Sequence, residues 1–163
     1  MRYIRTSENE RNSSAVPVFK DGEQILLSAF NQSSKENGFY WKKLGTSGYP
    51  KKLTMGAYVY YYALPSFDIN SMVPVKAKNA AIYLLQRMSS NESQNFFATT
   101  DFKNYTQLSN VQPQKMFNWM SAKLIHWKTL AGVDAEGILY KPEDFNPGKK
   151  YPVIFYFYEN MFD

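Results

Sequence analysis

The sequence predicts a mainly β protein built from antiparallel sheets. Aromatic residues make up 17% of the 163 residues, and aromatic side chains favour strands. Short apolar runs alternate with turns rich in Gly, Pro, Asn or Asp, and no long run has the 3.6-residue period of an amphipathic helix. The hydrophobic fraction of 44% and the charged fraction of 20% indicate a globular chain rather than a disordered one.

Charge and composition exclude several classes of function. The net charge is +5, but the basic residues include Lys-Lys pairs beside turns, at residues 42–43, 51–52 and 149–150, and no nucleic-acid-binding motif accompanies them. We therefore predict no nucleic-acid partner. The chain contains no cysteine, so it has no disulfide, no thiol nucleophile and no Cys-ligated zinc. The carboxylates have no spacing typical of a glycosidase or metal site, no glycine-rich phosphate loop occurs, and we predict no cofactor and no metal.

The N-terminal residues do not predict a targeting segment. Residues 1–15 are rich in Ser, Asn, Glu and Arg, lack the apolar core of a signal peptide, and are predicted to be a flexible lead-in. The apolar run of residues 153–158 is too short to cross a bilayer, and no membrane association is expected. The sequence leaves the compartment open between the cytoplasm and the periplasm.

The first predicted domain covers residues 16–111 and begins with a hairpin. Strands are expected over 16–19 and 24–30, then an aromatic strand over 39–44, a turn over 45–48 and a short strand over 51–54. A tyrosine-rich strand is expected over 55–63, with Tyr58, Tyr60 and Tyr62 on one face. Such a stripe can bind a sugar or a peptide, but we favour a sheet rim whose hydroxyl groups reach water.

The same pattern then recurs. Strands are predicted over 80–86, 95–99 and 105–109, with a turn over 101–104. In both copies an aromatic strand, a turn and a strand ending in Leu-Thr or Leu-Ser follow one another, and the closing residues Leu53 and Leu108 are 55 positions apart. This period is typical of β-propeller blades with a loop insertion, and a generic antiparallel meander is the alternative.

The C-terminal part is predicted to be a separate body. Residues 112–119 are expected to form a linker, because Pro113 restricts the backbone and the aromatic residues that follow can anchor it. Two strands, 123–130 and 135–141, should form a hairpin around Gly132. A third strand, 151–158, is apolar on both faces, which is typical of a central strand covered by helices.

This C-terminal order resembles the start of the catalytic domain of prolyl oligopeptidase family serine peptidases, such as dipeptidyl and acylaminoacyl peptidases. The resemblance rests on the hairpin, on Tyr140-Lys141-Pro142, on Phe145-Asn146-Pro147-Gly148-Lys149-Lys150-Tyr151-Pro152, and on the apolar strand 153–158. It implies C-terminal propeller blades over 16–111 and the first strands of a truncated α/β-hydrolase domain over 120–163. The implied parent enzyme cleaves short peptides through an acyl-serine intermediate, and this chain supplies part of the propeller cap and the interdomain hinge.

The catalytic triad is missing from the sequence. No Gly-x-Ser-x-Gly nucleophile elbow occurs, and Gly45-Thr46-Ser47-Gly48 has the wrong spacing and is predicted to be a hairpin turn. The aspartate and histidine of such a triad follow the serine, so the chain alone is expected to be inactive. The single histidine, His126, is interpreted as a packing or surface residue.

One catalytic residue is implied by the resemblance. In the dipeptidyl peptidase branch, a tyrosine just after the first long hydrolase strand donates its hydroxyl group to the oxyanion hole, and Tyr158 matches that tyrosine. Glu159-Asn160 follow it here, where that branch has small residues. The alternative interpretation of Tyr158 is a residue that caps a strand at a domain edge.

Two further expectations concern partners. A non-catalytic β-rich module that binds a protein or a glycan is the alternative to the peptidase. The chain is also expected to self-associate, because strand 153–158 is apolar on both faces. Asn-x-Ser/Thr triplets, at Asn12, Asn31, Asn91 and Asn104, would be glycosylation sites only in a protein secreted by a eukaryote.

Overall fold

The computed structural model describes residues 1–3, 18–60 and 74–157. The fold is mainly β with antiparallel sheets, which confirms the predicted class at that level. In the described ranges the only helix is one 3-10 turn, Pro113–Lys115. The chain divides into two compact units, residues 1–117 and residues 118–163.

The first unit contains two four-stranded sheets. The first sheet consists of β1 (Arg2–Tyr3), β2 (Gln24–Phe30), β3 (Asn37–Lys43) and β4 (Lys51–Gly56). The second sheet consists of β5 (Val75–Lys76), β6 (Tyr83–Arg87), β7 (Asn95–Thr99) and β8 (Thr106–Gln107). In both sheets the strands lie in sequence order and each pairs antiparallel with the next.

The turn between β3 and β4 is built around two glycines. Gly45 and Gly48 have φ angles of +70° and +92°, which glycine adopts without steric cost. The Lys42 ammonium group donates hydrogen bonds of 2.7 Å to the carbonyl groups of Thr46 and Gly48. Gly45-Thr46-Ser47-Gly48 is therefore a hairpin turn, as predicted, and not a strand-to-helix elbow.

Gly38 allows β3 and β4 to approach closely. The pairing between these strands shifts at Phe39 and Tyr40, as it does at a β-bulge. A Cβ atom at Gly38 would lie 1.9 Å from the carbonyl oxygen of Thr54. Any side chain at this position would therefore collide with the backbone of the neighbouring strand.

One aromatic core lies between the two sheets. Phe102, from the turn after β7, is fully buried, and its ring lies 4.8 Å from Phe39 of the first sheet and 4.7 Å from Tyr83 of the second. Burial of such large side chains supplies most of the packing energy that joins the sheets. The buried cluster consists of Leu26, Phe39, Tyr60, Tyr83, Leu85 and Phe102.

The two sheets share a pattern of burial. Both β3 and β7 begin with an asparagine and bury their third residue, Phe39 and Phe97. In the second sheet, alternation sends Tyr83, Leu85 and Phe97 to the inner face. The opposite face carries a row of exposed apolar residues, here called the outer row: Val75, Leu84, Phe96 and Leu108.

The prediction of a strand over 55–63 is wrong for residues 57–60. Strand β4 ends at Gly56, and residues 57–60 form bends rather than a continuous strand, while 61–63 lie outside the described residues. The chain leaves the first sheet here and pairs with the second, since Val59 and Met88 exchange two backbone hydrogen bonds of 2.9 Å. The rim interpretation is wrong for Tyr60, whose side chain is buried in the core.

Other boundaries differ from the predictions by a few residues. The strand expected over 16–19 is absent at residues 18–19, and 16–17 lie outside the described residues. Strand β6 starts three residues later than expected, and Arg2–Tyr3 of the expected lead-in form β1. Strand β8 covers only Thr106–Gln107 of the predicted 105–109, and at its end the Phe96 N–H donates to the Ser109 hydroxyl at 2.8 Å rather than to a backbone carbonyl.

The second unit contains the predicted hairpin. Strands β9 (Met120–Lys128) and β10 (Asp134–Pro142) pair antiparallel over nine residues each, and Gly132 in the connecting turn has a φ of +77°. The prediction of a third strand over 151–158 is wrong for residues 151–157, which form no strand. A strand needs a backbone partner, and no described segment pairs with these residues.

Candidate functional site

The candidate site is the segment that leads to Tyr158. Tyr158, Glu159 and Asn160 lie outside the described residues, so the role of Tyr158 as an oxyanion donor stays a prediction. The structure does describe the residues that precede it. These form an ordered loop and then an exposed apolar segment.

The loop after β10 is held by three side chains, here called the aromatic clasp: Lys141, Phe145 and Tyr151. The rings of Phe145 and Tyr151 stack with centroids 5.1 Å apart, and the Lys141 ammonium group lies 4.5 Å from the Phe145 centroid, within the range of a cation–π interaction. The backbone N–H of Asn146 donates to the Tyr151 hydroxyl at 3.0 Å. The clasp therefore fixes where residue 151 leaves the loop.

Five residues that follow Pro152, Val153–Phe157, are here called the apolar segment. Their exposed fractions range from 68% for Val153 to 92% for Ile154. Large side chains are rarely left in water to this extent without a partner surface. The segment is therefore the strongest indication of an interaction surface in the second unit.

The hairpin presents charged residues near its turn. Lys128 Nζ lies 2.6 Å from Asp134 Oδ1, and His126 Nδ1 lies 3.8 Å from Glu136 Oε2. His126 is thus a surface residue, one of the two predicted roles. Ser121 of the same strand lies on the opposite face of the ribbon, because five positions separate it from His126. The hairpin therefore offers no serine–histidine pair.

Besides these charged pairs and the lysines Lys123 and Lys141, both faces of the hairpin carry apolar side chains. Met120, Ile138 and Tyr140 share one face and are exposed. On the other face the Trp127 ring covers Gly137, since a Cβ at Gly137 would lie 3.1 Å from the indole. Both faces of this ribbon can therefore accept further apolar contacts.

Tyr60 belongs to the core of the first unit, and Tyr58 and Tyr105 pack against it. Tyr60 stacks on Tyr105 with centroids 5.7 Å apart, and Tyr58 lies 5.8 Å from Tyr60. Burial raises the pKa of both Tyr60 and Tyr105 above the ordinary value, so both phenols stay protonated at neutral pH. The Tyr105 hydroxyl donates to the Phe102 carbonyl at 3.1 Å. These groups stabilise the fold and form no exposed binding platform.

Arg87 was not singled out by the sequence. Its guanidinium carbon lies 4.4 Å from the centroid of Tyr58 and 4.1 Å from that of Phe97, and its Nη2 lies 2.8 Å from Glu92 Oε1. Aromatic faces attract guanidinium groups, and the carboxylate supplies the opposite charge. One arginine at the end of a strand carries no local pattern that would have predicted these contacts.

The turn that carries Phe102 depends on two polar side chains. Asp101 accepts hydrogen bonds of 2.8 Å from the backbone N–H groups of Asn104 and Lys103, and these bonds lower the pKa of Asp101 to about 2. Thr99 Oγ1 accepts a bond of 2.9 Å from the Phe102 N–H. Together they hold Phe102 at a φ of +54°, a conformation that bulky residues rarely adopt.

The asparagines of the glycosylation triplets serve local structure where they are described. Asn31 Oδ1 accepts hydrogen bonds from the backbone N–H groups of Ser33 and Ser34, and Asn104 Nδ2 donates to Asp101 at 2.8 Å. Hydrogen bonds of this kind favour asparagine at turn positions, so its presence there does not depend on glycosylation. Asn12 lies outside the described residues.

Two further findings concern metals and membranes. Among the residues that the structure describes, no three His, Asp or Glu side chains are grouped as metal ligands. Within the same ranges, no helix has the length and apolarity needed to cross a bilayer.

Comparisons with protein-family models, with curated proteins and with solved structures give no match to this chain. Membership of the prolyl oligopeptidase family therefore stays a prediction from the sequence motifs.

Proposed function

We propose that the chain is part of a serine peptidase of the prolyl oligopeptidase family. In this proposal residues 16–111 are propeller blades, residues 112–119 are the linker and residues 120–163 begin the α/β-hydrolase domain. The chain then contributes part of the cap that restricts substrates by size, together with the hinge between the domains. The serine, aspartate and histidine of the triad are supplied by residues outside these 163.

The observation that carries the proposal is the repeated sheet. Two consecutive four-stranded antiparallel meanders, each with its strands in sequence order, support the assignment to adjacent propeller blades, which are also four-stranded. They pack against each other through Phe39, Phe102 and Tyr83. The outer row of the second sheet has the apolar character that a further blade would cover, because a blade packs on neighbours through both faces.

The proposed reaction gives Tyr158 one role. During attack by the serine, the carbonyl oxygen of the scissile peptide becomes an oxyanion, and the Tyr158 hydroxyl donates a hydrogen bond to it. A preorganised donor of this kind lowers the barrier by about 3 kcal/mol. The aromatic clasp, in which Phe145 stacks on Tyr151, fixes the start of the segment that leads to Tyr158.

The alternative is a non-catalytic β-rich module that binds a protein or a glycan. A module that binds a glycan through the tyrosine stripe needs that stripe to be exposed. Tyr60 lies in the core and Tyr58 is half-buried beside it, so the described part of that stripe offers little surface to a sugar.

The test begins with the coding sequence on both sides of these 163 codons. The proposal expects further blade-length repeats before them and a Gly-x-Ser-x-Gly followed by Asp and His after them. The full product should react with a fluorophosphonate probe and hydrolyse a peptide nitroanilide, whereas the 163-residue chain should do neither. A reading frame without these features, or a full product without activity, would refute the peptidase and favour the binding module.

Substitution of Tyr158 in the full product tests its proposed role as an oxyanion-hole donor. Tyr158→Phe should lower kcat by about 100- to 1000-fold with little change in KM. The matched control is Tyr49→Phe, because Tyr49 is fully exposed in a hairpin turn, and it should leave kcat unchanged. Equal rates for Tyr158→Phe and the unchanged enzyme would assign Tyr158 the strand-capping role.

A further inference from the structure

We propose that the Asn95 side chain anchors the start of the linker that joins the two units. Its amide group holds the backbone of Val111, so the linker begins at Gln112, and loss of this anchor extends the linker back to the end of the second sheet. The inference concerns the 163-residue chain and does not depend on the peptidase proposal.

Asn95 is a buried residue whose amide group uses every one of its hydrogen-bonding positions. It is 2% exposed. Its Nδ2 donates to the carbonyl groups of Ser93 and Val111, at 3.1 and 2.9 Å, and its Oδ1 accepts from the Ser109 hydroxyl at 2.8 Å and from the Val111 N–H at 2.7 Å. An amide side chain has two donors and two acceptor sites. A buried amide that is bonded in full fixes the groups around it.

Two of these four bonds go to a single residue. The Asn95 amide meets both the N–H and the C=O group of Val111, as the backbone of a neighbouring strand would. Strand β8 ends at Gln107, and one more backbone bond follows it, from the Leu108 N–H to the Phe96 carbonyl at 2.8 Å. The Asn95 side chain therefore continues the sheet where the backbone pairing ends.

Ser109 connects the anchor to strand β7. Its hydroxyl group donates to Asn95 Oδ1 and accepts from the Phe96 N–H, both at 2.8 Å. Residues 108–111 are thus held to β7 by backbone and side-chain hydrogen bonds together.

The hydrogen bonds become local after Val111. The Lys115 N–H donates to the Gln112 carbonyl at 3.1 Å, and the Met116 N–H donates to the Pro113 carbonyl at 2.9 Å. Within the described residues, no hydrogen bond joins 112–117 to either sheet of the first unit.

The second unit takes hold of the chain directly after these residues. Asn118 is its first residue, and the Asn118 side chain donates to Asp144 Oδ1 at 2.8 Å. Met116 and Phe117, just before it, are 80% and 65% exposed. Val111 is therefore the point at which the second sheet releases the chain, and Asn95 sets that point.

The first experiment measures amide hydrogen exchange by NMR in the unchanged 163-residue chain. The N–H groups of Val111 and Leu108 should both be protected, because both are hydrogen-bonded to β7. Those of Gln112 and Gln114 should exchange at least about tenfold faster. An unprotected Val111 N–H would overturn the inference without any substitution.

Asn95→Leu tests the anchor directly, because leucine has a similar volume but makes neither bond to Val111. Exchange of the Val111 N–H should rise at least about tenfold, the factor expected for the loss of one hydrogen bond. The Leu108 N–H, which donates to a backbone carbonyl, should change less than about threefold. Asn91→Leu makes the same change at an exposed position between β6 and β7 and should alter neither. An equal rise at Val111 and Leu108 would show a general loss of stability and overturn the inference.

The second experiment measures cleavage by trypsin after Lys115. A protease acts on a locally opened stretch of chain, so cleavage should accelerate when residues 108–111 are released. In Asn95→Leu it should rise at least about tenfold relative to cleavage after Lys103, which lies in the turn held by Asp101. Equal acceleration at both lysines would contradict the proposed anchor.

A substitution at the other end of the anchor keeps the test valid if Asn95→Leu does not fold. Val111→Pro removes the N–H that donates to Asn95, and it should also accelerate cleavage after Lys115. Val111→Ala is the matched control, because it keeps the N–H and changes only a side chain that is 54% exposed. Equal cleavage of the proline and alanine variants would overturn the inference.

Discussion

The rings of Phe39 and Phe102 lie 4.8 Å apart and both side chains are fully buried. Phe39 belongs to a strand of the first sheet, whereas Phe102 belongs to a turn of the second. A turn residue therefore supplies the central contact between the sheets. Its position depends on the Asp101 and Thr99 side chains, so the polar turn and the apolar core are energetically coupled.

Phe102→Ala should destabilise the first unit by about 3–5 kcal/mol, because it removes a buried ring that the surrounding side chains cannot replace. The matched control is Phe96→Ala, since Phe96 belongs to the exposed outer row and should cost about 1 kcal/mol or less. Urea unfolding followed by circular dichroism, at one fixed protein concentration, measures both values. Equal losses for the two variants would contradict the described core.

Gly38→Ala should destabilise the protein by about 2–3 kcal/mol, because its Cβ would lie 1.9 Å from the Thr54 carbonyl oxygen and the strands would have to separate. Gly148→Ala is the matched control. Its Cβ would meet only the exposed end of the Asn146 side chain, at 3.2 Å, and the expected change is about 0.5 kcal/mol or less. The same unfolding measurement applies, and tolerance of alanine at residue 38 would argue against the bulge described between β3 and β4.

The sequence predicted the elements that local patterns determine. Strands β2 and β7 were predicted at their observed bounds, Gln24–Phe30 and Asn95–Thr99, because turn residues flank them and their side chains alternate. The hairpin β9–β10 followed from Gly132 and the two apolar runs beside it. These features depend on neighbours within a few residues.

The features that we did not predict from the sequence depend on contacts between residues that are far apart in the chain. Tyr60 was assigned to a sheet rim, but its burial depends on Phe39 and Tyr105, which are far from it in sequence. Residues 151–157 were assigned to a buried strand because an apolar run indicates a need for burial, not the presence of a partner. Tyr158 was assigned through resemblance alone, and no pattern in the described residues bears on it.

The Arg87–Glu92 pair should be coupled more strongly than a surface ion pair. Their side chains are only 19% and 32% exposed, against 67% and 86% for Lys128 and Asp134. A double-mutant cycle with Arg87→Met and Glu92→Gln should give a coupling energy of about 1 kcal/mol. The parallel cycle with Lys128→Met and Asp134→Asn should give less than about 0.5 kcal/mol. Coupling energies in the reverse order would mean that the rings of Tyr58 and Phe97 do not order the guanidinium group.

The stability of the first unit should fall in acid through Asp101. Hydrogen bonds from the backbone of Asn104 and Lys103 lower the pKa of this carboxyl from 3.8 to about 2 in the folded protein. A lowered pKa means that the folded state favours the charged form, so the stabilisation is complete above pH 3.8 and is lost as the pH falls towards 2. Asp101→Asn removes the titration but keeps an oxygen that can accept the same hydrogen bonds. The urea midpoint of the variant should therefore decline less between pH 5 and pH 2 than that of the unchanged chain. An identical decline in the Asp101→Asn variant would show that the turn around Phe102 does not depend on the charged carboxylate.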